Sequence, residues 1–248
     1  MASQNNLNAV FTDIANAIRD KKGSVNTIKP INMADEILTI ETGGGKSTIY
    51  KTLEAMGTNW SYAFRVDSSN RNMFYYMTEL SENDFPSSSN VVNMRYMFYN
   101  CTKLTTIPLF DTSSCTNMDY MFGFCNALTT IQKLSTSLVS SMMYMFANCY
   151  VLEKIDITML SSANEYFAGK CRSLKTLIIR TMDTIPSLYS NAFDGCCHFY
   201  GTKDSTYNPN GLKDGRIYVP DDKVASLKTA TNWSVFADII KPLSEYVE

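Results

Sequence analysis

From residue 91 to residue 155, apolar and polar positions recur with a fixed step of 24 residues. Three Met-Phe pairs place phenylalanines at Phe98, Phe122 and Phe146, and a cysteine follows each by three residues, at Cys101, Cys125 and Cys149. Other columns keep the same register: Leu104, Leu128 and Leu152; Ile107, Ile131 and Ile155; Tyr96, Tyr120 and Tyr144. Val91, Cys115 and Val139 share one slot, so one cysteine stands where a valine otherwise stands. Downstream the pattern loosens but continues through Phe167, Cys171, Leu174 and Leu177, then Phe193 and Cys196. Upstream, Phe74 and Leu80 mark a degenerate first copy.

This step falls in the range of leucine-rich repeats. One such unit buries too few side chains to offset the entropy of fixing its backbone, so the copies must stack and share their faces. The pattern predicts an α+β fold: a leucine-rich-repeat solenoid with one short parallel strand per ~24-residue rung, preceded by a small helical N-terminal segment. Each strand is expected near "LTTI", "LEKI" or "LKTLII", followed by a turn and a helical or 3₁₀ return that carries Tyr-Met-Phe.

The two ends depart from the repeat. Leu7, Val10, Phe11, Ile14 and Ile18 recur at helical spacing, and Met33 and Ile37 do so again after Pro30. These are the candidate attachment helices of a segment spanning residues 1–41. "TGGGKST" at 42–48 is read as a linker. A phosphate loop would need glycine where Ile40 stands, and would need a strand, not a helix, before it. Residues 49–218 form the expected solenoid, with 49–70 as lead-in, and 219–248 a helical cap. In that cap Asp221 or Asp222 is placed to begin a helix, and Trp233, Phe236 and Ile239 to cover the last rung.

Composition narrows the chemistry. The chain is 45% hydrophobic and 19% charged with a formal net charge of -2, which gives nucleic acid no electrostatic reason to bind. No run of apolar residues is long enough to span a membrane, and no secretory signal is visible at the start. Seven cysteines and one histidine invite disulfide, metal and nucleophile readings. In a linear column each thiol has two equivalent neighbours, and a tetrahedral metal needs four ligands about one point. Small core thiols fit best, with a disulfide between adjacent rungs as the competing reading, because a strand spacing of ~4.8 Å permits one. No catalytic residue, cofactor or metal ligand is assigned.

The string "NMxYMFxxCxxLxxI" resembles the BspA-like leucine-rich repeats of bacterial surface proteins and of proteins of their phages, and "NAFDGC" is similar to a companion variant. The stretch "FTDIANAIRDKKGSVNTIKPINMADEI" resembles a segment found at the N-termini of phage tail and fibre proteins. These resemblances imply a non-enzymatic virion surface protein, on tail or capsid, assembled in the host cytoplasm. Its N-terminal segment would hold other virion proteins, and a homo-oligomer, for example a trimer, is expected. Its partner would be a host cell-surface protein or glycan, met by the polar strand positions Thr105, Thr106, Thr129, Thr130, Glu153, Lys154, Lys175 and Thr176. The competing reading makes those positions only the solvated side of a sheet. Likewise, Tyr96, Tyr120 and Tyr144 are either a packing ladder or platforms for sugar rings. A purely structural decoration or spacer, and a bacterial BspA-like adhesin, are the alternative functions.

Overall fold

The computed structural model describes residues 53, 57–60, 74, 77, 80, 85–109, 111–160 and 165–248. The attachment-helix residues Leu7, Val10, Phe11, Ile14, Ile18, Met33 and Ile37, and the 42–48 linker, lie outside these residues. The regular strands are β1 (Lys154–Met159), β2 (Thr176–Thr181), β3 (Arg216–Val219) and β4 (Ile240–Pro242), with short helices α1 (Cys197–Tyr200) and α2 (Val224–Thr229). The four strands form one parallel sheet in the order β1-β2-β3-β4.

Successive copies of the repeat stack on one another. The phenylalanine column makes this plain. Phe98, Phe122 and Phe146 are fully buried, and their ring centroids lie 5.5 and 5.4 Å apart with interplanar angles of 5° and 8°. Equal steps of 24 residues put equivalent side chains in equivalent rotamers, so the rings are nearly parallel. From Phe146 to Phe167 the step shortens to 21 residues, and the rings turn edge to face at 90°. Phe74 begins the column at 5.1 Å from Phe98, and Phe193 and Phe236 close it at 5.5 Å. The apolar columns at Leu104, Leu128 and Leu152 are likewise fully buried.

The Tyr-Met-Phe segment is not the helical return that its sequence suggests. Met97, Tyr99 and Cys101 donate their N–H groups three residues back, whereas Tyr96, Phe98 and Asn100 donate to Asp119, Met121 and Gly123 of the next rung. The same alternation recurs one rung on, where Tyr120, Phe122 and Phe124 donate to Met143, Met145 and Ala147. A helix would satisfy every amide within its own segment. Here a neighbouring rung offers carbonyls at strand-like distance, and rotating alternate peptides reaches them. The rotation demands left-handed backbone at Tyr96, Asn100, Tyr120, Phe124, Tyr144, Asn148, Tyr166 and Lys170, with φ between 49° and 65°. That conformation is unfavourable for a bulky side chain. The ladder of inter-rung bonds and the stacking described below hold it.

A strand in every rung is also not what forms. Around 104–107 and 128–131 no regular strand appears, although Thr129 donates its N–H to Thr105 O at 3.0 Å. The early rungs instead pair through single parallel bridges at Asn59, Asn93, Asn117 and Ser141. The lead-in supplies the first of these, and Trp60, at 1% exposure, packs beside Phe85. "LTTI" is followed by Pro108 or by polar Gln132, whereas "KIDITM" and "TLIIRT" run on without proline and carry the β-branched Ile155, Ile157 and Thr158 and Thr176, Ile178, Ile179 and Thr181.

Residues 219–248 are more than a helical cap. β4 pairs with β3 and so extends the sheet past the last repeat. Trp233, Phe236 and Ile239 are buried over Phe193 and Phe199, and Trp233 Nε1 donates to Pro186 O at 2.8 Å. Neither Asp221 nor Asp222 caps a helix. They open a 3₁₀ turn, and Asp221 Oδ1 instead accepts from Ser244 N at 3.1 Å. α1 ends at Gly201, whose φ of 69° is the left-handed terminator a helix favours.

Candidate binding face

All seven cysteines are buried and none is in a disulfide. Cys125, Cys149, Cys171 and Cys196 each aim Sγ at a carbonyl of the preceding rung, donating to Phe98 O, Phe122 O, Phe146 O and Ala168 O at 3.0, 3.1, 2.9 and 3.0 Å. Burial pushes the thiols of Cys149 and Cys196 well above their ordinary range. Such thiols are poor nucleophiles. The column thus bonds rung to rung.

The tyrosines stack on one another. Tyr96 and Tyr120 lie 4.6 Å apart at 6°, Tyr120 and Tyr144 4.8 Å apart at 3°, and Tyr144 and Tyr166 5.1 Å apart. Between neighbours both ring faces are taken, which removes Tyr120 and Tyr144 as platforms for sugars. Desolvation, helped by the adjacent tyrosines, pushes the Tyr120 hydroxyl up to about 12.

The polar strand positions fall into two groups. Thr105 and Thr129 are joined by backbone and by Thr129 Oγ1 donating to Thr105 O at 3.0 Å, while Thr106 and Thr130 point to solvent beside them. In the second group Lys175 N and Thr176 N both donate to Glu153 O, at 3.0 and 3.1 Å, and Lys154 pairs with Thr176 in register. Arg216 continues that row, donating its N–H to Lys175 O at 2.7 Å.

Lys154 and Thr176 begin the outer side of the sheet, where a richer constellation lies. Ile155, Ile157, Leu177 and Ile179 point into the core cluster. Their alternates Lys154, Asp156 and Thr158 on β1, Thr176, Ile178 and Arg180 on β2, and Arg216 and Tyr218 on β3 face the other way. Arg180 grips Asp156 with two hydrogen bonds, Nε to Oδ1 at 2.9 Å and Nη2 to Oδ2 at 2.6 Å. That pairing makes the guanidinium hold its proton still more tightly. Asp156, Ile178, Arg180, Arg216 and Tyr218 carry no repeat signature. The strand "RIYV" is legible, but its place beside β2 is not, since 34 residues separate Thr181 from Arg216.

Among the described residues no group of three or more His, Cys, Asp or Glu is arranged to hold a metal ion. Among them, no helix is long and apolar enough to cross a membrane. His198 is buried, with Nδ1 at 2.6 Å from Asp214 Oδ1 and Nε2 at 3.0 Å from Tyr207 O, and so ties the 201–215 loop to α1.

Comparison with known proteins agrees with the repeat at a coarse level. No curated protein and no solved structure matches the chain. Residues 68–177, the span that holds the exact repeats, match the family described as "Mycoplasma protein of unknown function, DUF285", which is related to the BspA-like repeat proteins.

Proposed function

We propose that this chain is a non-enzymatic recognition protein, built as a leucine-rich-repeat solenoid, that presents its sheet side to a protein or glycan on a host cell surface. The observation that carries this reading is the row of polar positions that the stack sets side by side, Thr105 with Thr129 and Glu153 with Lys175. A rigid backbone that offers side chains at fixed spacing suits recognition of an extended partner with little ordering cost. The resemblance of the N-terminal segment to phage tail and fibre proteins favours a virion appendage on tail or capsid, with residues 1–41 holding other virion proteins and joining copies into an oligomer. The resemblance of the repeat to those of bacterial surface proteins gives a second reading, a bacterial surface adhesin of the BspA-like kind.

The test is adsorption. The labelled full chain should bind host cells saturably, and charge changes at Glu153 and Lys175, both exposed, should weaken that binding without lowering thermal stability. Undiminished binding by these variants would remove the row as the recognition surface. No binding at micromolar protein would leave the spacer role.

A further inference from the structure

The outer side of the sheet is not bare. Ile178 points away from the core cluster yet has 0% exposure, and Asp156 has only 5%. Something of the chain itself covers them. After β4, residues 243–248 turn back across the sheet and pack on β3. Tyr246 sets its ring 5.1 Å from that of Tyr218, and its hydroxyl lies 3.4 Å from Lys154 Nζ on β1. Glu248 then reaches Arg180, with Oε1 3.1 Å from Nη2. The segment therefore crosses from β4 to β1 and fills the face with one aromatic ring and one carboxylate.

Its grip differs from that of β4. Ile240–Pro242 is paired to β3 in register. Beyond it, Ser244 N donates to Asp221, and Tyr246 N donates only to Leu243 O within the segment itself. The crossing is made by side chains, and it ends on Val247, 86% exposed, and on a Glu248 side chain 80% exposed. Underneath, Arg180 is already oriented by its two bonds to Asp156, which do not depend on Glu248.

We propose that this face is a binding site for an extended segment bearing an aromatic residue and, two positions on, a carboxylate, and that residues 243–248 occupy it in cis as a displaceable strap. Lifting the strap uncovers an apolar floor at Ile178, a ring at Tyr218, and two cations, Lys154 and Arg180, one at each end. An acidic-aromatic peptide satisfies all of these; a neutral sugar brings no carboxylate to the Arg180 Nη2 that Glu248 meets beside Asp156. The inference rests on the reading of the sheet side as a recognition surface, and it names the ligand class and the regulation of that side.

The probe is a fluorescent peptide, blocked at both ends, with the sequence LSEYVE of residues 243–248, read by anisotropy against the full chain. A tethered competitor acts at an effective concentration in the millimolar range. The Tyr246→Ala/Glu248→Ala chain should therefore bind the peptide at least about tenfold more tightly than the unaltered chain does. Glu248→Ala alone, which touches a solvent-exposed side chain, should show part of that gain and guards against a misfolded double variant. Adding Tyr218→Ala to the double variant should abolish binding, and the peptide with its Tyr and Glu replaced by alanine should not bind. Equal binding to unaltered and strap-released chains, or no binding to either folded variant, overturns the proposal. If host adsorption persists while the peptide fails, the strap is wrong and the recognition role stands. Peptide binding without adsorption upholds the strap and removes the host-surface role.

Discussion

Cys125 and Cys115 make a matched pair that tests why thiols fill this core. Cys125 sits between Cys101 and Cys149, fully buried, with Sγ donating to Phe98 O at 3.0 Å. Phe98 O also accepts from Cys101 N at 3.1 Å, so removing the thiol does not orphan that carbonyl. Cys125→Ala then loses the burial of one atom of methylene size, about 0.8 kcal/mol, and one weak hydrogen bond, about 0.5 kcal/mol. The sum predicts a destabilisation of about 1–2 kcal/mol. Cys125→Val adds a branch where the rungs above and below already fill the space, and should cost about 1–3 kcal/mol. Cys115→Val is the control. Val91 and Val139 occupy the same slot one rung before and one rung after, each at 1% exposure, so a valine fits; its added methyl offsets the weak bond that Cys115 Sγ donates to Asn117 O at 3.2 Å, and the change should stay within about 0.5 kcal/mol. Urea denaturation followed by circular dichroism reads all three, with thiol labelling of the folded chain as a check that the column stays closed. If Cys125→Val is as stable as the unaltered chain, or if Cys115→Val costs as much as Cys125→Val, room between rungs is not what selects cysteine.

Other expectations follow from the same geometry. Lys170 adopts φ of 60° at a register position where Asn100 and Asn148 stand in earlier rungs, so Lys170→Asn should add about 0.5–1 kcal/mol of stability, read as a higher urea midpoint. Arg180→Ala leaves the nearly buried Asp156 without its partner and should cost about 2–4 kcal/mol, whereas Arg180→Leu/Asp156→Leu should recover part of that loss in a double-mutant cycle. His198→Ala removes two of the side-chain bonds that hold the 201–215 loop, and hydrogen exchange should rise at residues 203–214 before it rises in β2 or β3. The Ser244 side chain, followed by its backbone N–H, holds the Asp221 carboxyl below its ordinary range. The folded pKa is depressed, so this contribution is present above the ordinary value of about 3.9 and is lost as pH falls through the lowered one. Asp221→Asn should flatten that acid limb, and in a chain that keeps Asp221, strap contacts at Tyr246 should loosen there first, as read by the Tyr246 proton signals.

Chain order alone carries a large part of this protein. The 24-residue period names the Phe, Leu, Tyr and Cys columns, because identical side chains at equal steps have one economical arrangement, a stack in which each covers the next. The buried thiols were legible for the same reason, as were Trp233, Phe236 and Ile239 over the last rung. Three features were not. The Tyr-Met-Phe segment looks helical to local propensity, and only a neighbouring rung at hydrogen-bonding distance makes alternate left-handed residues favourable. The early "LTTI" strands fail to form while β3 and β4 join the sheet, because pairing depends on which strand lies alongside, and 34 residues of loop and helix hide that neighbour. The polar face shows the limit most sharply. Lys154 and Thr176 are readable as outward strand positions, but Asp156, Ile178 and Arg180 become one site only when β1 and β2 pair, and Tyr246 and Glu248 reach it only because the chain folds back across the sheet. Periodicity fixes what repeats along a chain. Contacts between residues roughly seventy and ninety positions apart have no period, and tertiary packing alone decides them.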